Sequence, residues 1–212
     1  APAMDGYLRR KVPEKMNFKI NLAIVQGDGI GKPLGILNAN SLVTVSKESS
    51  QAADTILAAN IFKMYSRLYA PLLGTSVWLV NQDVLPQLFS MTLPVKNVAG
   101  TENVGGSAVY TPANGLAGSP YGTLMGRPII LTQACETIGD VGDIIFVDLK
   151  SYMTAQKSAG IKTDTSIHML FDYDMTAFRF VFRMAGKPWW SDNIAVRDGS
   201  NNLSWAVALE AR

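Results

Sequence analysis

The chain has 212 residues, 48% of them hydrophobic and 17% charged, and a formal net charge of +2 from 19 basic and 17 acidic side chains. That length holds one large domain or two small ones around a sizeable core, and the charge is too small for binding driven by phosphate contacts. No apolar run approaches the roughly 18 residues of a membrane span, Ala1 to Arg10 lacks the apolar core of a signal peptide, and the single cysteine, Cys135, excludes an intrachain disulfide or a cysteine-based metal cluster.

In chain order, residues 1 to 12 read as irregular and basic. Pro13 suits the first turn of a helix, where its missing N–H costs nothing. Met16, Ile20, Ala23 and Ile24 then recur at helical spacing, which predicts a helix over about 13 to 26. Gly27 and Gly29 end it, because glycine tolerates the left-handed backbone that a helix terminus often needs. Asp54 is placed to cap a second helix. Leu57, Ile61, Met64, Tyr65 and Leu68 form its apolar stripe, and Pro71 closes the run. Ser76 to Asn81 has a buried-strand pattern. A helix around Gln82 to Met91 follows, with Leu85, Leu88 and Phe89 inward.

Residues 92 to 126 hold Gly100, Gly105, Gly106, Gly115, Gly118, Gly122 and Gly126, with Pro94, Pro112 and Pro120. They read as an extended loop region with short strand pieces such as Ala108 to Thr111. A stretch that long is seldom without a job. Arg127 to Thr132 and Asp143 to Asp148 are β-rich and bounded by glycines. Ser151 to Ser158 reads as a short helix or turn. From Ile161 to Leu170, Thr163, Thr165, Ile167 and Met169 alternate with Lys162, Asp164, Ser166 and His168. Phe178, Phe180, Phe182 and Met184 alternate with Arg179, Val181 and Arg183, which predicts a half-exposed antiparallel strand. Pro188 to Asn202 is turn-rich and holds Trp189-Trp190. Leu203 to Leu209 is a final strand. Helix, helix, then mostly strands is an α+β order.

The sequence offers little chemistry. Gly27-Asp28-Gly29-Ile30-Gly31 is similar to the opening motif of the isocitrate and isopropylmalate dehydrogenases, but there it follows a strand and here a helix. That resemblance would also require an aspartate metal site, an arginine cluster and a Lys/Tyr pair. Asp140, Asp143, Asp148, Asp172 and Asp174 are scattered instead. A phosphate loop fails because Gln26 stands where its first glycine belongs and Pro33 follows Lys32. The dinucleotide pattern fails because Lys32 takes the third glycine position. His168, the one histidine, shares a strand face with polar residues and reads as a solvated or interface side chain. Cys135 has no basic neighbour to activate it. Asp172 and Asp174 read as turn residues before metal ligands. The expectation is a protein that is not an enzyme, with no catalytic, cofactor or metal residues; a small NAD-dependent oxidoreductase is the distant alternative.

Other motifs carry a closer resemblance. Gly27-Asp28-Gly29 followed by Pro33-Leu34-Gly35-Ile36-Leu37 resembles the junction after the long spine helix in major capsid proteins of tailed bacteriophages, which share the Hong Kong ninety-seven fold. Asp54 to Leu68 resembles the helix after that junction, and Val77-Trp78-Leu79-Val80-Asn81 its Trp-x-x-Asn strand. Leu124-Met125-Gly126-Arg127-Pro128-Ile129 resembles the Leu-x-Gly-x-Pro-Val segment. Ile145-Phe146-Val147-Asp148-Leu149-Lys150-Ser151-Tyr152 is similar to the Phe-Gly-Asp-Phe-x-x-Tyr turn, with Val147 for glycine. Phe178 to Arg183 and Trp205 to Leu209 are similar to the closing strands.

The resemblance implies an α+β capsid subunit. A peripheral domain of spine helix and long antiparallel sheet would span 1–80 and 172–212, and an axial domain would span 81–171. It implies a structural joint at Gly27, Asp28, Gly29, Pro33 and Gly35. Copies of the chain would form pentamers and hexamers of an icosahedral shell of a phage or prophage, assembled in the host cytoplasm. The shell would enclose genomic DNA without sequence-specific binding and without a membrane; an encapsulin-type shell is the near alternative. Family members usually carry an N-terminal arm and an extended hairpin loop before the junction. Against that pattern the chain reads as truncated or processed.

Overall fold

The computed structural model describes residues 2–96, 103–112, 122–157, 160–173 and 175–212. The first helix, α1, runs Pro2–Gln26 and so starts well before the predicted residue 13. Pro13 lies inside it rather than at its start. The turns around Pro13 carry ion pairs at helical spacing, Asp5–Arg9 at 2.8 Å and Lys11–Glu14 at 2.7 Å, of the kind that support an exposed helix. What read as an irregular basic segment is therefore helical surface.

Two strands and two α-helices follow before the first ribbon. β1 is Val43–Val45, α2 is Ala58–Arg67 and β2 is Val77–Val80. A 3-10 turn at Gln82–Val84 leads into α3, Leu85–Ser90. Asp54 does not cap α2. Its own φ is +55° and its N–H bonds to the Arg212 carbonyl, while the Asn60 side chain reaches back to the Leu57 N–H at 2.9 Å. Along α2, Ile61 and Met64 are buried as the stripe requires, and so is Leu68 just after it, but Leu57 at the N-cap is exposed because the helix begins beyond it. Leu88 of α3 is buried too, but Phe89 is 60% exposed and packs edge-to-face with Tyr110. On a helix of six residues, the face of Leu88 takes the core contact and its neighbour is turned outward.

The window read as loop contains β3 Thr92–Lys96, β4 Asn103–Ala108, β5 Tyr110–Thr111 and β6 Thr123–Leu124. Gly100, Gly115, Gly118 and Pro120 lie outside the described residues. Beyond it come β7 Arg127–Leu131, β8 Ile144–Val147, a 3-10 turn at Leu149–Ser151 and β9 Tyr152–Gln156, a strand where a short helix or turn was expected. β10 is Lys162–Leu170, β11 Met175–Val181, β12 Met184–Pro188 and β13 Ala206–Leu209. The predicted strand through Met184 is thus divided between β11 and β12.

A seven-stranded sheet in the order β1-β13-β8-β2-β7-β6-β5 forms the body. It is mixed: β1 runs parallel to β13 and β2 to β7, while β8 is antiparallel to both of its neighbours. Alternation along its strands feeds two cores. Trp78, Val80, Ile144 and Phe146 point to the α2 and α3 side. Leu79, Ile145 and Val147 point to the other side, with Val25, Ile36 and Trp205. The run Ile144-Ile145-Phe146-Val147 is buried on both faces, which is why it reads as continuous and not alternating. Trp78 stacks on Phe146, its register partner, at 4.1 Å between centroids, and donates from Nε1 to the Leu124 carbonyl.

Outside the body, the described residues form three two-stranded antiparallel ribbons, β3 with β4, β9 with β12, and β10 with β11. Only the C-terminal end of α1 enters a core, through Leu22, Ile24 and Val25.

Candidate functional site

Helix α1 ends in a hydrogen-bonded reversal of the chain. The Gly27 N–H donates to the Ala23 carbonyl at 2.9 Å. The chain then turns through Gly29 and Gly31, whose φ values of +81° and +68° favour glycine. Asp28 accepts the Ile30 N–H at 2.9 Å and pairs with Lys32 at 3.1 Å; the first of these contacts is the larger reason its carboxyl lies below the ordinary value. Buried Pro33 brings the chain back antiparallel, with Asp28 bridging Leu34.

On its return the backbone closes the open carbonyls of the helix. Gly35 N–H donates to Gly27, Ile36 to Ile24 and Leu37 to Val25, at 2.7, 2.9 and 3.0 Å. The Asn38 amide donates to the Gln26 and Gly27 carbonyls at 2.9 and 3.0 Å. Leu34 is held from both sides: its N–H bonds to the Gly186 carbonyl of β12 and its carbonyl accepts the Tyr152 hydroxyl.

The five joint residues found in the sequence therefore meet in space, for partly different reasons. Gly27 has no positive φ. It must be glycine because a Cβ there would overlap the Pro33 and Ala23 carbonyl oxygens. Gly35 is constrained alike, since its Cβ would lie 2.6 Å from the Val25 oxygen. Asn38 and Tyr152 join the turn without a mark in the sequence pattern, whereas Gly31 belongs to the same glycine-rich run, two residues after Gly29.

The residues weighed for chemistry stay apart. His168 is exposed on β10, and Asp172 is exposed in the 3-10 turn Phe171–Tyr173 that joins β10 to β11. Asp174 lies outside the described residues. Asp148 accepts the Thr75 and Ser151 hydroxyls, each at 2.8 Å. Asp143 forms a fully buried ion pair with Arg212 and accepts the Gly139 and Ile144 N–H groups. Among the described residues no group of three His, Cys, Asp or Glu is placed to hold a metal.

Cys135 is buried, and burial pushes its thiol up to about 12. The native chain at pH 8 is expected not to react with a thiol reagent, and the unfolded chain to titrate one thiol. Absorbance of the released chromophore measures both; fast native labelling would contradict the packing.

Two surfaces stand out instead. The β10–β11 ribbon ends in Met169, Phe171 and Tyr173, each more than 70% exposed. An open groove of about 620 Å³ runs beside α1.

The fold is similar to the capsid of the empty GTA particle computed with C5 symmetry, with a TM-score of 0.68 and 16% identity over 98% of this chain and 66% of that one. The capsid of the native GTA particle gives the same TM-score and coverage at 17% identity. The chain thus spans 66% of the length of each. No curated protein sequence matches it. Residues 1–198 match the sequence profile of the phage capsid family. The chain belongs to the phage capsid family.

Proposed function

We propose that the chain is a major capsid subunit of a phage-like particle and that its work is self-association. Membership of the family over residues 1–198 carries this reading. The surface supports it: a helix anchored at one end and a ribbon tipped with exposed aromatic residues are features a lone subunit leaves uncovered. In a shell, many symmetric contacts of this kind enclose a volume. We propose pentamers and hexamers of the chain around packaged DNA held without sequence readout, within a virion and with no catalysis.

Two-part organisation belongs to the same reading. Limits at 80/81 and 171/172 would divide the seven-stranded sheet and cut the β10–β11 ribbon at its tip. We therefore draw the division between elements. The peripheral part is α1 with the β9–β12 and β10–β11 ribbons. The axial part is the seven-stranded sheet with α2 and α3. Gly27, Asp28, Gly29, Pro33 and Gly35 are the joint between the spine helix and the body.

Negative-stain electron microscopy of the purified protein over a range of concentration and salt is the test. Rings or closed shells are expected. Dispersed monomers under every condition would overturn the proposal.

A further inference from the structure

We propose that the tip of the β10–β11 ribbon of one copy seats in the groove beside α1 of another. The inference rests on the shell reading and names one of its contacts.

Val12, Met16 and Ile20 of α1 line the groove with Pro33, Phe182 and Met184, and Lys15 and Lys19 line it too. Residues 1–32 carry six basic side chains and three acidic ones. All three acids are already paired, Asp5 with Arg9, Glu14 with Lys11 and Asp28 with Lys32. Lys15 and Lys19 have no carboxylate partner among the described residues. The groove is thus apolar at its floor and carries free positive charge.

The ribbon tip is its complement. Asp164 faces Arg179 at the far end of the ribbon, but from Ser166 to Phe178 the sequence has two aspartates and no lysine or arginine. Phe171 and Tyr173, 77% and 74% exposed, flank the exposed Asp172. Aromatic residues beside a carboxylate suit an apolar trough edged with ammonium groups, where burial holds the contact and charge sets its register.

Tip and groove of one copy cannot meet. The ribbon leaves the groove at Phe182, and the seven residues of β11 hold the tip on the order of 20 Å away. The contact must join two copies. Repeated head to tail, a contact between two different patches propagates around a ring or along a lattice.

Charge reversal tests this. Three variants are needed: Asp172→Lys, Lys15→Glu with Lys19→Glu, and all three changes together. Each site is exposed, so the melting temperatures should match that of the wild type. Sedimentation velocity gives the concentration at which assembly begins. Each partial variant is expected to raise that concentration at least about tenfold, and the combined variant to recover most of the loss. Equal assembly by all variants, or no recovery in the combined one, would overturn the contact and leave the shell reading intact. A wild-type chain monomeric at every concentration would overturn both.

Discussion

Replacing Gly27 by alanine is expected to lower the melting temperature by about 10 °C, corresponding to about 3 kcal/mol for a chain of this size. The cause is steric. The added methyl would overlap two carbonyl oxygens, one from the last turn of α1 and one from Pro33. Neither can move freely. The Ala23 oxygen accepts the Gly27 N–H, and the returning segment is pinned by the Gly35, Ile36 and Leu37 bonds. Gly35→Ala should behave alike, because its methyl would meet backbone atoms of Val25 and Gln26. Gly31→Ala is the control. Its φ is positive but nothing lies within 4 Å of the new methyl, so strain alone of about 1 kcal/mol is expected. Differential scanning calorimetry separates the three. A Gly27→Ala chain that melts within about 2 °C of the wild type would remove the close-approach role.

Asp143→Leu is expected to cost about 3–5 kcal/mol, a large part of the stability of any domain. It would strand the Arg212 guanidinium, whose side chain is fully buried and which also donates to the Thr55 and Glu210 carbonyls. Burial, the largest influence on Asp143, pushes its carboxyl above the ordinary value, with Arg212 and two N–H groups acting against it. The cost of desolvating the pair is offset by its mutual contact together with the hydrogen bonds each partner makes to the backbone. Replacing both partners, Asp143→Leu with Arg212→Met, should therefore recover much of the loss. Urea denaturation of the two single variants and the double variant closes the cycle. Additive losses would show that the pair is not coupled.

Much of the local structure was legible because period and chemistry coincide there. The spacing of Ile61 and Met64 marks one face of a helix, and Asp143 to Asp148 reads as β-rich between glycines, although its burial on both sides shows only in the fold. The start of α1 was misread because Pro13 looks like a first-turn residue. A proline inside a helix held by neighbouring ion pairs leaves no separate mark in the sequence. Phe89 was misread because the inward face of a six-residue helix cannot be fixed by period alone.

The joint shows the same division. Gly27, Asp28, Gly29, Pro33 and Gly35 stand out in the sequence because few other side chains suit a sharp reversal after a helix. The reason for Gly27 does not, because it depends on Pro33 folding back against the helix end. Likewise the sequence by itself determined which segments are apolar, which are punctuated by glycine, and that the α-helices fall in the first 90 residues. Only the tertiary structure decided that β1 and β13 pair in parallel across the length of the chain, that Asp143 meets Arg212 from 69 residues away, and that α1 keeps most of its length outside the core. Periodicity encodes which face of an element seeks burial. The partner it finds there is set by packing all the elements at once.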